Sequence, residues 1–240
     1  MYESRTYRNL IKDSDLVSFK VTVRETDLYI RAVRDLSKEA TAAVERQRRS
    51  LEQYIREHPL FLHSLEPVVV DEDSAEIIKI MAGVARVANV GPMAAVAGAM
   101  AELVGRELLP FSTEVIVENG GDVFIKTERT RLIGIYAGQS PFTGRLALEI
   151  QPGATPYGVC TSSGTVGPSL SLGLADAAVL LAPSAALADA AATAVGNVAK
   201  SVDDIPAAIE RGRDIQGVTG ILVIVGDRMG AWGDVKLVKL

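Results

Sequence analysis

The chain has 240 residues, enough for one large domain, and its 48% hydrophobic and 23% charged residues argue against disorder. Its formal net charge of −5 gives no reason to expect a nucleic-acid or anionic-membrane partner. Cys160 is the only cysteine, which excludes an intramolecular disulfide and a two-cysteine metal site. The amino terminus lacks the apolar segment of a signal peptide, and charged or proline residues interrupt the longest apolar run. We therefore expect a cytoplasmic protein.

The first half of the chain predicts a hairpin followed by helices. Apolar and polar residues alternate on both sides of a polar turn within 16–36, which is typical of an antiparallel pair with one solvated face. Ser37 is expected to cap a helix that ends near Glu57. Further elements are expected in this order: a short strand at Pro67–Val70, a helix from Asp73 or Ser74, and a helix from Gly91-Pro92 to Leu109.

The second half mixes strands and helices without a regular strand–helix–strand rhythm, so the sequence predicts an α+β fold. We expect a single domain over 1–240, with subdomains of about 1–110 and 111–240. Val235–Leu240 alternates as an edge strand that either completes the protein's own sheet or pairs across a homodimer. Other elements are expected as strands at Leu132–Tyr136, Leu146–Ile150, Tyr157–Cys160, Ala177–Ala182 and Val218–Val225, and as helices at Ser184–Asn197 and from Asp203 or Asp204.

The tetrapeptide Asn119-Gly120-Gly121-Asp122 lies between two β-branched runs, Glu114–Glu118 and Val123–Ile125. Adjacent glycines allow positive φ and the close approach of another group, because no Cβ is present. With a polar side chain at each end, a strand that ends in this way can cradle a ligand. Asn-Gly between two strands is also the commonest hairpin turn, so both interpretations stay open.

Asp189 and Thr193 lie four residues apart in an alanine-rich segment, so both side chains are expected on one helix face. A carboxylate, a hydroxyl, water and backbone carbonyls make an oxygen set suited to magnesium. The alternative is that Asp189 only lies near the helix start, where the helix dipole favours an acid. A carboxylate more than one turn inside so apolar a helix needs a partner, which favours the ligand role.

A second polar stretch, Thr161-Ser162-Ser163-Gly164-Thr165, offers hydroxyl groups and successive backbone amides. Such loops bind phosphates through their N–H groups, although the same composition is typical of a surface turn. Cys160 lies at the edge of this loop. A single cysteine in an apolar setting is more often a buried small hydrophobe than a nucleophile, and no histidine stands nearby in sequence to activate it.

Four motifs together resemble the ApbE flavin transferases, in the order in which that family carries them. Asn119–Asp122 is similar to the family's Gly-Gly-Asp strand end, and Thr161–Gly164 to its Thr-Ser-Gly element. Ser184–Ala194 resembles its carboxy-terminal Ala-Asp-Ala-x-Ala-Thr-Ala helix, and Gly91–Ala94 stands where the family carries Gly-Gly-Ile-Ala. The resemblance implies an ApbE-like α+β fold of two mixed subdomains with the ligand cleft between them.

The resemblance also implies a set of ligands. Asp189 and Thr193 would hold magnesium together with the backbone carbonyl of Ala94. FAD would lie across Asn119–Asp122 with its pyrophosphate on the metal, and Thr161–Gly164 would contact phosphates. Transferases of this family move FMN from FAD to a threonine or serine hydroxyl of an acceptor protein and release AMP. A magnesium–carboxylate site supplies the charge neutralisation that such a transfer needs, while no catalytic residue is assigned.

The sequence departs from the flavin transferase motifs at two places, and with these departures it is more similar to the small cytoplasmic ApbE-like branch. The family's lysine after Gly-Gly-Ile-Ala is Ala95 here, and 165–175 carries no histidine where the family has a His-x-x-Asp-Pro-x-x-Gly segment. Some members of that branch are linked to sulfide assimilation and homocysteine formation. The alternative function is an accessory protein of sulfur metabolism that keeps the fold without FMN transfer, with a persulfide on Cys160. A scaffold with a vestigial pocket is the third interpretation.

Overall fold

An antiparallel sheet of eight strands lies at the centre of the structure, a computed structural model that describes residues 15–153, 155–165 and 173–240. A second sheet has three strands. In chain order the strands are β1 Val17–Val23, β2 Thr26–Ala32, β3 Val115–Asn119, β4 Asp122–Lys126, β5 Arg131–Gly134, β6 Leu146–Ile150, β7 Tyr157–Ser162, β8 Ala177–Ala182, β9 Gly220–Val225, β10 Arg228–Gly233 and β11 Leu237–Lys239. The large sheet has the order β1-β2-β3-β4-β7-β8-β9-β10, and the small sheet has the order β11-β6-β5.

The helices form a layer of their own. They are α1 Ser37–Glu57, α2 Leu60–His63, α3 Glu76–Ala88, α4 Val96–Leu108, α5 Ala185–Gly196 and α6 Ile205–Arg213, with short 3₁₀ segments at Pro92–Ala95, Leu109–Phe111 and Val202–Asp204. One hydrophobic core lies between the helices and the large sheet, and a second lies between the large sheet and the small one. Because both of its faces are covered, β8 is buried along its whole length, which explains its unbroken apolar sequence.

In the described ranges no single helix is long and apolar enough to cross a bilayer. Glu76–Ala88 and Pro92–Phe111 would reach that length only together, and they are bent by 104° at the break between them.

The structure confirms the α+β expectation and most of the expected elements. The hairpin of β1 and β2, the helix from residue 37, and strands β6 and β8 have the predicted positions. The helix expected over Ser184–Asn197 is α5, and Ser184 is its cap, because the Ser184 side chain accepts a hydrogen bond from Leu187 N–H. β11 pairs with β6, so the carboxy-terminal strand completes the protein's own small sheet.

Other expectations were wrong in detail, each for a local reason. Pro67–Val70 forms no strand, since it lies in an irregular segment with Val69 fully exposed. The helix expected from residue 73 or 74 begins at Glu76. Ser37 is the first residue of α1 and not its cap, because its N–H donates to the Asp35 carboxylate at 2.8 Å. The glycine-rich strand β10 was not expected at all.

Gly105 and Gly83 offer a matched test of the packing between α4 and the sheet. A Cβ on Gly105 would lie 2.1 Å from the ring of Phe124, which is 1% exposed and cannot move aside. A Cβ on Gly83 would meet nothing within 4 Å. Urea unfolding is expected to show Gly105→Ala destabilised by about 1–3 kcal/mol and Gly83→Ala stabilised by about 0.5–1 kcal/mol. Equal effects of the two substitutions would contradict this packing.

Candidate functional site

Four segments that are distant in sequence converge beside α5. They are the start of α4, the turn between β3 and β4, the end of β7, and α5 itself. Direct contacts join them, since Asn119 Nδ2 donates to the Ala97 carbonyl at 3.1 Å and Gly98 N–H donates to Asp189 Oδ2 at 2.8 Å. The Asp122 carboxylate accepts a hydrogen bond from Thr161 N–H at 3.3 Å. These contacts join three of the predicted motifs to the start of α4, and the fourth motif, Gly91–Ala94, immediately precedes α4 and packs against α5 through the Pro92–Ala95 segment.

The contact between α4 and α5 depends on a glycine. A Cβ at Gly98 would lie 2.3 Å from the Ala185 carbonyl oxygen and 2.7 Å from Asp189 Cβ, so only glycine permits this approach. Gly98 lies in the first turn of α4, where backbone N–H groups have no partner within the helix. Asp189 supplies that partner from the neighbouring helix, and its negative charge is favoured at the positive end of α4.

Glu102 of α4 binds the start of α5, a role that was not predicted from the sequence. Glu102 is 2% exposed, and its carboxylate accepts hydrogen bonds from Ser184 Oγ at 2.7 Å and from Ala186 N–H at 3.1 Å. Arg106, one turn further along α4, forms an ion pair with the same side chain. Glu102 and Asp189 thus link the two helices reciprocally, each at the other's first turns. The sequence signal was a single acid in a run of small and apolar residues.

The turn at Asn119–Asp122 is both a hairpin and part of the site. Gly120 and Gly121 have φ angles of 71° and 108°, backbone conformations that residues other than glycine rarely adopt. Asn119 pairs with Asp122 across the hairpin, and Glu118 Oε1 accepts a hydrogen bond from Gly121 N–H at 2.9 Å. The hairpin interpretation is therefore confirmed, and the ligand-cradle interpretation of this motif stays a prediction.

Asp122 and Asp189 are close enough to influence each other's ionisation. Burial raises the pKa of Asp122 well above its ordinary value, and the charge of Asp189 raises it further. Burial also raises the pKa of Asp189 to about 7, although the backbone N–H groups of Gly98 and Ala97 oppose this shift. Two buried acids in one cleft favour a bound proton or a bound cation, because both bring the total charge down.

Cys160 lies within this region as a buried thiol. Its side chain is 0% exposed, and Sγ lies 3.2 Å from the Ala185 carbonyl, to which it donates. Burial raises the pKa of the thiol well above its usual range, and the negative charges of Asp122 and Asp189 act in the same direction. These surroundings disfavour a thiolate, so the geometry supports a packing role for Cys160.

The hydroxyl-rich stretch divides into two parts. Thr161 and Ser162 belong to β7. Thr161 lies beside Gly121, because a Cβ added to Gly121 would lie 4.0 Å from the Cβ of Thr161. Ser163 and Gly164 follow the strand. The Ser163 hydroxyl accepts a hydrogen bond from Thr165 N–H at 3.1 Å, and a Cβ on Gly164 would lie 2.1 Å from a backbone carbonyl at residue 173. Residues 166–169, which continue this glycine- and hydroxyl-containing stretch in the sequence, lie outside the described residues.

The middle of α5 presents one strip that protein does not fully cover. Only Leu187, Asp189 and Thr193 among the residues of α5 are not fully buried. Asp189 and Thr193 are one turn apart and share a face, whereas Leu187 projects about 160° away, by helix geometry. The predicted carboxylate and hydroxyl therefore line the same open strip, as the spacing of four residues implies.

The residues along this strip fit a hard divalent cation. Asp189 offers a carboxylate, Thr193 a hydroxyl, and the Pro92–Ala95 segment, which contains Ala94, packs against α5. Within the described part of the chain, no three His, Cys, Asp or Glu side chains form a group that could hold a metal ion. A metal at this strip would take a mixed set of carboxylate, hydroxyl and carbonyl oxygens, which suits magnesium better than zinc.

Comparison with known proteins gives consistent relatives along nearly the whole chain. A family model described as AbpE bacteria matches residues 8–231. A UPF0280 protein of Methanocaldococcus jannaschii is 40% identical over 227 residues, which cover 92% of each chain. A UPF0280 protein of Methanosarcina acetivorans is 41% identical over 198 residues, which cover 82% of this chain and 78% of that one.

Solved structures with the same fold include the flavin transferase ApbE from Vibrio cholerae. It superposes with a TM-score of 0.56 at 12% identity, over 91% of this chain and 96% of that chain. The apbe protein from Thermotoga maritima superposes with a TM-score of 0.61 at 14% identity, over 90% and 96% of the two chains. At these identities the likeness concerns the fold, and it confirms the ApbE-like α+β fold that the sequence predicts.

The raised pKa of Asp189 predicts a dependence of stability on pH. An acid whose pKa is higher in the folded state, here about 7 against 3.8, stabilises the fold below pH about 4. This contribution is lost as the pH rises to about 7. Without metal, the free energy of unfolding of the wild type should therefore fall, relative to Asp189→Asn, by on the order of a few kcal/mol. Urea titrations in EDTA across this range measure the difference, and parallel curves for the two proteins would contradict it.

Proposed function

The chain belongs to the AbpE bacteria family, and on that basis we propose that it is a magnesium-dependent FAD-binding protein that transfers FMN. The observation that carries the proposal is the open strip of α5, where Asp189 and Thr193 stand side by side at the junction of four motifs. The proposal for magnesium, FAD and the acceptor protein rests on that geometry together with the flavin transferases that share the fold.

The charge of the cleft supports a cation at this place. Asp122 and Asp189 raise the free energy of each other's ionised form, and Glu118 adds to the negative field at Asp122. A divalent ion relieves this repulsion, and it also attracts the pyrophosphate of a dinucleotide. The ion, when bound, would neutralise charge on the pyrophosphate oxygens during transfer. Asp189, Thr193 and the Ala94 carbonyl are the groups that we propose to hold it.

The chain's own residues would position the dinucleotide around this strip. Asn119–Asp122 forms a rigid turn without side chains at its centre, which leaves room for a ligand against the backbone of Gly120 and Gly121. We propose that the hydroxyls of Thr161, next to that turn, and Ser162, next to the end of α5, contact phosphates, each from its own face of β7. Ser163 and Gly164 remain proposed phosphate contacts, although the Gly164 N–H already donates to the Ala175 carbonyl at 2.9 Å and the Ser163 hydroxyl accepts from Thr165 N–H.

The proposed reaction is a phosphoryl-type transfer whose atoms balance. The hydroxyl oxygen of an acceptor threonine or serine forms a bond to the phosphorus of the FMN half of FAD. The bond between that phosphorus and the bridging oxygen breaks, and AMP leaves with the bridging oxygen. The hydroxyl proton passes to the solvent or to a carboxylate of the cleft. Pyrophosphate cleavage supplies the driving force, so no oxidant or reductant is required.

The alternative function keeps the fold without the transfer. Ala95 replaces the lysine of the flavin transferases, and it is fully buried, so no cationic side chain stands at that position. An accessory protein of sulfur metabolism is consistent with this loss. Its proposed persulfide carrier, Cys160, is however buried and its pKa is raised, so the structure gives that part of the alternative no support.

Binding of FAD by isothermal titration tests the proposal. FAD is expected to bind in the presence of magnesium and to lose at least tenfold in affinity when EDTA replaces the metal. Asp189→Asn should abolish the magnesium dependence because it removes the charged ligand of the strip. Asp203→Asn, which changes an exposed aspartate in a 3₁₀ segment, is the matched control and should behave as the wild type.

The outcomes separate the alternatives. Magnesium-dependent binding that also yields AMP with an acceptor protein supports the transferase, whereas the same binding without AMP supports an accessory role. If FAD binds equally well in EDTA and to Asp189→Asn, the metal site on α5 is wrong.

A further inference from the structure

Strand β10 is an edge of the large sheet that no other described strand covers. It pairs with β9 on one side, and the strand order ends there. All of its residues except Gly230 are exposed, including Met229 and Trp232, each 37% exposed. It carries no proline or lysine, the residues that commonly protect a sheet edge from pairing with another chain. An edge of this kind is a template for a further strand.

The register of β10 decides which of its backbone groups are free to pair. Asp234 N–H donates to the Thr219 carbonyl at 2.9 Å, so Asp234 faces β9. In an antiparallel pair, alternate residues direct their N–H and C=O groups to the same side. The even-numbered residues of β10 therefore face β9. Met229, Ala231 and Gly233 direct theirs to the open side, but the Gly233 carbonyl already accepts a hydrogen bond from Val235 N–H at 2.8 Å.

A shallow groove follows the helix side of this edge. It has a volume of about 660 Å³ and is lined by α6 and β10, with Ile205, Ile209 and Gly230 among its residues. Gly230 keeps the groove open, because a Cβ there would lie 2.6 Å from Ile205 Cγ2 and 2.8 Å from Ile209 Cδ1. Trp232 stands on the same side of β10, where the Arg213 guanidinium lies 5.5 Å from its ring centroid.

We propose that β10 is a self-association edge that pairs antiparallel with β10 of a second copy of this chain, with Ala231 on the two-fold axis. Antiparallel pairing requires residues with outward-facing backbone groups to stand opposite one another. With Ala231 opposite itself, Met229 of each copy stands opposite Gly233 of the other. The two Ala231 residues then exchange hydrogen bonds on the axis, each Gly233 N–H faces the Met229 carbonyl of the other copy, and the two large sheets become one continuous sheet.

The side chains of β10 are complementary in this register, and that complementarity selects a second copy as the occupant. Arg228 of each copy stands opposite Asp234 of the other, so opposite charges meet at both ends of the paired strands. Trp232 stands opposite Gly230 of the second copy and would extend its ring over the groove beside Ile205. An aromatic side chain beside a glycine fills space that the strand's own sequence leaves empty.

Cysteine cross-linking tests the register directly. Opposite residues of a hydrogen-bonded antiparallel pair have Cα atoms about 5.5 Å apart, within the range that a disulfide spans. Ala231→Cys should therefore form a disulfide-linked dimer under mild oxidation. Met229→Cys, the matched control on the same edge, should not, because its counterpart in the second copy lies about 13 Å away. The native Cys160 is buried and does not interfere.

Charge exchange gives an independent measurement that does not depend on oxidation. Sedimentation equilibrium should show the wild type as a dimer, and both Arg228→Asp and Asp234→Arg should weaken association at least tenfold. The double variant restores opposite charges and should restore the dimer. A monomeric wild type, equal cross-linking of the two cysteine variants, or a double variant no better than the singles would overturn the proposal.

Discussion

The structure around α5 depends on one close contact, the approach of α4 at Gly98. The absence of a side chain there lets the Gly98 N–H reach Asp189, and the Glu102 carboxylate returns the contact at the start of α5. The first turn of each helix leaves backbone N–H groups without a partner inside that helix, and a carboxylate of the other helix accepts a hydrogen bond from one of them. Both contacts are made by carboxylates, so the two helices are held by directional bonds and not only by apolar packing. The position of Asp189 follows from this arrangement.

The alanine-rich sequence of α5 has a physical purpose in this setting. Small side chains let the helix pack closely against α3, α4, β7 and β8 at once, and nine of its residues are fully buried. Apart from Leu187 on another face, only Asp189 and Thr193 remain partly exposed, and they form the strip. Burial is what raises the pKa values of Asp189 and Asp122, and the same burial would strengthen the attraction of the proposed cation to the strip. Close packing and the proposed chemistry therefore have a common origin.

Much of this arrangement could be predicted from the sequence, because it is encoded in local patterns. The spacing of Asp189 and Thr193 gives their shared face, and the Asn-Gly-Gly-Asp run gives the hairpin. What could not be predicted depends on contacts between segments far apart in sequence. Glu102 acts on α5 across a separation of 82 residues, and nothing near it in the sequence marks that partner. Strand β10 was missed because glycine has low strand propensity, and its place is set by pairing with β9.

We propose above all that α5 holds a divalent cation on the face shared by Asp189 and Thr193. Crystals of the protein grown with FAD and manganese, an anomalous scatterer that replaces magnesium, would locate the ion directly. If α5 holds the metal, we expect one anomalous peak within coordination distance of both the Asp189 carboxylate and the Thr193 hydroxyl, with the FAD pyrophosphate on the other side of the ion. FAD bound with its pyrophosphate away from α5, or a manganese peak that touches neither side chain, would contradict it.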